Sequence, residues 1–242
     1  MNEQLALQSL IQNSRRIVFF GGAGVSTESG LPDFRSENGI FRAIEAYGHS
    51  PEELLSIDFF NAHPDVFFHY YQSQLLCPSA KPNAAHTALA QLEREGKLAA
   101  IITQNIDGLH QLAGSQKVFE LHGSMLRNYC ISCRKRFSLS DIIEIQGIPH
   151  CNCGGIIRPD IVMYGERLDD AVVSSAIQHL QEADMLIVGG TSLAVYPAAG
   201  LISCFHGKNV VLINKTPTPY DHKASLVIHD AIGSVLGAAT FV

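Results

Sequence analysis

Four of the six cysteines stand in two close pairs, Cys130-x2-Cys133 and Cys151-x-Cys153, with 17 residues between the pairs. That spacing matches a zinc ribbon, in which each pair lends two thiolates to one tetrahedral ion. Disulfides are the rival reading, but they belong to secreted chains. Met1–Arg16 carries no basic start, no continuous apolar run and no small-residue cleavage site, so no signal peptide is expected. The expected compartment is the cytoplasm, and the expected ligand of Cys130, Cys133, Cys151 and Cys153 is one structural zinc. The second pair is tighter than the common C-x2-C, and His150 beside it is an alternative ligand. Arg134, Lys135 and Arg136 would offset the thiolate charge, while Cys77 and Cys204 read as buried apolar residues.

A second cluster of chemistry-bearing residues falls where apolar runs end. Arg16–Gly21 leads into Gly21-Gly22-Ala23-Gly24-Val25-Ser26-Thr27, a turn whose backbone N–H groups can approach a diphosphate. Thr27 stands where the dinucleotide fingerprint has its third glycine, and no acid closes a second strand about 20 residues on. A tight strand-to-helix turn without a ligand explains the glycines equally well. Three further runs end in Gln104-Asn105-Ile106-Asp107, in His122, and in Gly190-Thr191-Ser192, and a fourth in Asn214. In an open α/β sheet, such ends line one crevice. No nucleophile elbow is present, so acyl-enzyme hydrolysis is unsupported.

These residues need a scaffold that brings strand ends together. The short β-branched runs Arg16–Gly21, Leu98–Gln104, Val118–His122, Asp184–Gly189 and Asn209–Asn214 alternate with helical periodicity at Ala85, Leu89 and Leu92 and at Val173, Ala176, Ile177 and Leu180. Strands apolar on both faces predict a parallel sheet covered by helices on both sides, a doubly wound α/β fold. Two segments break the rhythm: an aromatic-rich helical stretch over 37–82 and the cysteine-bearing 123–159. The predicted division is a discontinuous Rossmann-like domain (1–36, 83–122 and 160–242) with a smaller inserted helical and zinc-ribbon lobe. At 242 residues and 46% apolar content the chain is globular and needs no disulfide staples. Its net charge of −6 gives no general signal for nucleic acid or anionic membrane. The uncharged stretch 185–205 contains Gly189, Gly190, Pro197 and Gly200, and so reads as strand, loop and helix start rather than a membrane span.

Taken in order, the motifs resemble those of the sirtuins, the NAD-dependent protein lysine deacylases. Gly22-Ala23-Gly24-Val25-Ser26 through Gly30-Leu31-Pro32-Asp33-Phe34-Arg35-Ser36 is similar to the first family signature, and Thr103-Gln104-Asn105-Ile106-Asp107-Gly108-Leu109-His110 to the second. Leu121-His122-Gly123-Ser124 resembles the catalytic histidine motif, the four cysteines the zinc module, and Arg158–Glu166 the substrate loop. The likeness runs from about residue 10 to 240.

The resemblance implies NAD as co-substrate and acyl-lysine proteins as partners, with acyl transfer from lysine to ADP-ribose and release of nicotinamide. His122 would be the general base toward the ribose hydroxyls, Asn105 would orient a water or hydroxyl, and Gln104 would hold the ribose. Asp107 with the Ile106 backbone would grip the nicotinamide carboxamide. Gly22, Ala23, Gly24, Thr27, Phe34 and Arg35 would line the diphosphate and nicotinamide end, and Gly190, Thr191, Ser192, Asn214, Ala231 and Ile232 the adenosine side. Val162, Gly165 and Tyr70 would meet the acyl-lysine substrate. Family members that take acidic acyl groups carry a Tyr-x-x-Arg pair. Here the corresponding stretch, placed without gaps, is Tyr70-Tyr71-Gln72-Ser73, so uncharged acyl groups are expected. The rivals are a mono-ADP-ribosyltransferase on the same scaffold, a zinc-ribbon binding module for nucleic acid or protein, and, more weakly, a dehydrogenase.

Overall fold

A computed structural model describes residues 2–32 and 37–240. Six parallel strands form the main sheet: β1 (Ile17–Gly21), β2 (Leu98–Thr103), β3 (Val118–Glu120), β7 (Met185–Gly189), β8 (Asn209–Ile213) and β9 (Leu226–Ile228). Their spatial order is β3-β2-β1-β7-β8-β9. The order reverses between β1 and β7, the switch point at which open α/β sheets open a crevice. The doubly wound fold predicted from the apolar runs is therefore present.

Along β1 the side chains alternate between two cores. Ile17 and Phe19 join one cluster with α1 (Glu3–Asn13), α6 (Ala84–Arg94) and α9 (Ile232–Thr240). Val18 and Phe20 join the other, with α8 (Asp170–Glu182) and a 3-10 turn over Ala198–Cys204. Asn83 caps α6 and Asp169 caps α8 by accepting backbone N–H bonds, and Gly96 follows α6 at φ +73°.

The second lobe has two parts. α2 (Glu37–Tyr47), α3 (Pro51–Leu54), α4 (Ile57–Ala62) and α5 (Pro64–Tyr70), followed by a π turn over Tyr71–Leu75, enclose an aromatic core. Phe60, Phe67, Phe68 and Tyr71 meet there edge-on or stacked. The cysteine segment, read from its sequence as turn-rich, contains a three-stranded antiparallel sheet in the order β5-β4-β6. Its strands are β4 (Gly123–Cys130), β5 (Arg136–Ser138) and β6 (Ile157–Ile161), so β6 runs across residue 160. A one-turn helix, α7 (Leu109–Leu112), completes the elements named here, and no described helix is long and apolar enough to cross a membrane.

Candidate active site

The carboxyl ends of β1, β2 and β7 lie side by side because Gly21 pairs with both Thr103 and Gly189. After β1 the chain turns tightly through Ala23–Val25 and passes against the turn after β7. Gly24 N–H donates to the Gly190 carbonyl at 2.8 Å, and a Cβ on Gly24 would stand 2.8 Å from Gly190 Cα. Gly190 itself has φ +58°, and a Cβ there would lie 2.3 Å from Val25 N. Only glycine fits both positions.

Behind this turn sits a compact hydrogen-bonded set. Ser26, only 2% exposed, donates from Oγ to Asp107 Oδ2 at 2.7 Å and accepts from Asn105 Nδ2 at 3.0 Å. Asp107 also accepts the Leu109 N–H, and the Asn105 N–H is held by Thr103 Oγ1. Gln104 Nε2 donates to Thr191 Oγ1 at 3.2 Å, joining the ends of β2 and β7. His122 follows β3, which ends two residues earlier than its apolar run suggests. Its Nδ1 lies 2.9 Å from the Gln104 carbonyl. A carbonyl only accepts, so Nδ1 carries a proton, and in the neutral tautomer this leaves Nε2 as the basic nitrogen.

A cleft of about 230 Å³ runs between the lobes. Ala23, Gln104, Asn105, Ile106, Asp107 and His122 line it from the large domain, and Val162 and Gly165 from the segment after β6. Val162 N–H donates to the His122 carbonyl at 2.9 Å, which ties the two sides together. Gly22 packs against Thr191, and Thr27 Oγ1 bonds the Gly24 carbonyl, so both shape the turn. Gly190, Thr191 and the exposed Ser192 follow β7, and Asn214 follows β8. Ala231 precedes α9 and Ile232 starts it; the Gly233 N–H donates to Glu28 Oε2 at 2.6 Å, so this edge is joined to the glycine turn without lining the cleft. Phe34 and Arg35 lie outside the described residues.

Tyr70 is not brought to the cleft. It is 2% exposed, packed edge-on against Tyr47 in the helical lobe's core. Burial first, then Tyr47, Glu52 and Tyr164, pushes its phenol up to about 12. Sequence reasoning quoted Ser26 without giving it a role. It also missed the pairing of Arg158 with Glu166, two opposite charges eight residues apart. Arg158, its side chain 5% exposed, makes a two-pronged bond to Glu166 at 2.8 Å on each arm and a third bond to the Ile161 carbonyl.

At the far end of β4 and β6, the sulfurs of Cys130, Cys133, Cys151 and Cys153 all lie within 4.8 Å of one another. The Cys130–Cys153 and Cys133–Cys151 separations are 3.5 and 3.7 Å, far beyond a disulfide and close to the edge of about 3.8 Å that tetrahedral zinc–sulfur bonds of about 2.3 Å require. The Cys133 N–H, above all, draws the Cys130 thiol down to about 6. Cys153 accepts the Gly155 N–H, yet the three neighbouring sulfurs drive it up to about 11. The four cannot all ionise together without a cation, so the donor set fits one zinc ion. His150 is exposed and outside the cluster, its Nδ1 3.4 Å from the Gly154 carbonyl. Cys77 and Cys204 are half-buried rather than buried.

The sequence profile of the Sir2 family matches residues 22–197. An NAD-dependent protein deacetylase of Clostridium perfringens (strain 13 / Type A) is 59% identical over 233 residues, 96% of each chain. A solved Sir2 with a deacetylated peptide and 3'-O-acetyl ADP ribose superposes with a TM-score of 0.88 at 39% identity, covering 97% of this chain and 96% of that one. Another, with a peptide and NAD+, gives 0.84 at 40% identity, covering 98% and 95%. The profile match, the high identity of the relatives and the close superposition agree over nearly the whole length, and the chain belongs to the Sir2 family.

Proposed function

We propose that this chain is an NAD-dependent protein lysine deacetylase acting in the cytoplasm on acyl-lysine segments of other proteins. The observation that carries the reading is His122: Nδ1 is fixed on the Gln104 carbonyl, leaving Nε2 basic, in a cleft shared with Asn105, Asp107 and Val162. The strand ends and the glycine turn offer the donor set a dinucleotide needs. NAD, when bound, supplies an electrophilic ribose carbon and nicotinamide as leaving group.

In this reading His122 takes a proton from a ribose hydroxyl as general base, and Asn105 orients a hydroxyl or water. Asp107, oriented by Ser26 and the Leu109 N–H, holds the nicotinamide carboxamide. Val162 lines the path of the acyl-lysine stem, and the peptide adds as a strand beside Gly165. The acyl oxygen would bond the ribose C1′ as the C1′–nicotinamide bond breaks. The ribose hydroxyl deprotonated by His122 would then bond the acyl carbon, and water would add there as the lysine nitrogen leaves, so that the acyl group stays on that hydroxyl of ADP-ribose. The large sheet binds NAD, the helical segment 37–82 and the knuckle segment 123–159 form the substrate-side lobe, and the zinc is structural. No lysine or arginine lines the cleft among the described residues, so an acidic acyl group would enter unpaired and uncharged ones are preferred.

The test is an acyl-peptide panel assayed with and without NAD, with products identified by mass spectrometry. Acetyl-peptide loss with matching O-acetyl-ADP-ribose is expected, and His122→Ala should abolish it while zinc content and folding persist. ADP-ribosylated protein without an acetylated ADP-ribose would instead establish the transferase rival.

A further inference from the structure

Among the described residues three carboxylates line the cleft: Asp107, Glu166 and Glu52. Asp107 is satisfied by Ser26 and the Leu109 N–H, and Glu166 by Arg158 and the Met163 N–H. Glu52 has neither hydrogen bond nor ion pair among the described residues, although it is half-buried. Its neighbour Glu53 is exposed and already pairs with His49 at 2.8 Å. The cleft's described lining holds no lysine or arginine, so the Glu52 charge is uncompensated there.

Glu52 is also on the substrate side. It sits in α3, three residues before Leu55, whose carbonyl accepts the Tyr164 N–H at 3.0 Å. Ile57 N–H donates in turn to the Tyr164 carbonyl at 2.9 Å, and Ile57 lies against Gly165. The helical lobe thus holds the Gly165 loop through Leu55 and Ile57, just after α3, and Glu52 and Gly165 line the same cleft. Pro51, Leu55 and Leu75 give that wall an apolar surface, which concentrates the field of a single carboxylate into the cleft.

We propose that Glu52 is a specificity-determining residue that favours acyl-lysine segments carrying a lysine or arginine close to the modified lysine. The proposal rests on the deacetylase reading. The plain alternative is that Glu52 only stabilises the first turn of α3, where an acidic residue suits the helix dipole. That role would alter stability without altering the ranking of substrates.

The experiment uses the full chain at saturating NAD and three acetyl-lysine peptides that differ only in the flanking residues, arginine, glutamine or glutamate. One partly exposed ion pair is worth a factor of about three to five, so arginine should exceed glutamate by about tenfold in kcat/KM. Glu52→Gln should bring that ratio to within about twofold of unity, and Glu52→Lys should invert it. Added salt should flatten the wild-type ratio. Equal turnover of the three peptides by the wild type, or a ratio unchanged in Glu52→Gln, would overturn this proposal alone. Failure of all three to be deacetylated with NAD would overturn the deacetylase reading and the proposal with it.

Discussion

Replacing Arg158 with methionine should loosen the substrate side of the cleft while sparing the NAD side. The guanidinium makes two 2.8 Å bonds to Glu166 and one of 2.7 Å to the Ile161 carbonyl, and lies over the rings of Phe60 and Tyr129. Breaking a buried pair from one side costs about 3–5 kcal/mol. Glu166 is 27% exposed and water can take up part of its charge, which places the expected cost near the lower end, about 3 kcal/mol. For a chain of this size that is a fall of about 6–12 °C in melting temperature. Glu166 also anchors the Met163 N–H, so the loop through Gly165 loses its fixed point and the KM for peptide should rise about tenfold. The proposed NAD-binding ends of β1, β2 and β7 do not touch Arg158, so the KM for NAD should stay within about twofold. Arg158→Lys keeps the charge but not the fork, and should fall between. Equal rises in both KM values, or a melting shift under about 2 °C, would refute the reasoning.

Ser26→Ala should lower kcat/KM by about 10- to 100-fold without unfolding, because Asn105 and Asp107 lose the hydroxyl that joins them; steady-state kinetics beside a melting curve checks it. Gly24→Ala should raise the KM for NAD, since its Cβ would meet Gly190 Cα at 2.8 Å and Gly190 is backbone that cannot swing aside. Exhaustive chelation, or Cys130→Ala, should release one zinc per chain and lower the melting temperature, read by metal analysis and calorimetry. Burial draws His86 down to about 4 and, with its neighbour His86 adding to burial, His110 down to about 3. Unfolded histidines bind protons below about pH 6.5 while the folded pair stays neutral, so stability is full above that pH and is lost as pH falls toward 4 and then 3. His110→Phe should flatten this acid limb in denaturant titrations run from pH 7 to 4.

The large sheet was legible because its strands are buried on both faces and so read as unbroken apolar runs. β9 escaped because Leu226–Ile228 is three residues long and offers no pattern. β4 and β6 escaped for a different reason. Their pairing shifts register between Ser124 and Asn128, so inward and outward positions along β4 do not alternate, and Arg158 and Asn128 are buried polar residues. Residues concentrated at strand ends and in the cysteine pairs were legible from types and spacing, and the fold brings Asn105, Asp107 and His122 to one cleft and the four sulfurs to one cluster. Ser26 and Glu166 stand out only through partners that the folded chain brings near, and Glu52 only through the lack of one among the described residues. Tyr70 shows the reverse error. A π turn begins at Tyr71 and inserts an extra residue into the helical register, so a placement without gaps cannot decide which face each side chain takes.

Strands β4 and β6 connect the four-cysteine cluster to this cleft. β4 leaves His122 through Gly123, whose φ of +74° and whose contact with the Asp160 carbonyl leave no room for a side chain, and it ends at Cys130. β6 starts beside that cysteine, since Ile157 pairs with Cys130, and it ends one residue before Val162. The proposed base and the substrate wall are thus the near ends of two paired strands whose far end is the four-sulfur knuckle. Between them Arg127 binds both Glu120, two residues before His122, and Asp160 on β6, while Arg158 reaches from β6 to Glu166. A knuckle that opened would free the Cys130–Ile157 end first, and the strand pairing next to it carries Arg158. A zinc held by the four cysteines would therefore need no contact with either substrate to affect the cleft: by holding the two strands in register it would fix Arg158, and through it the loop that Glu166 anchors.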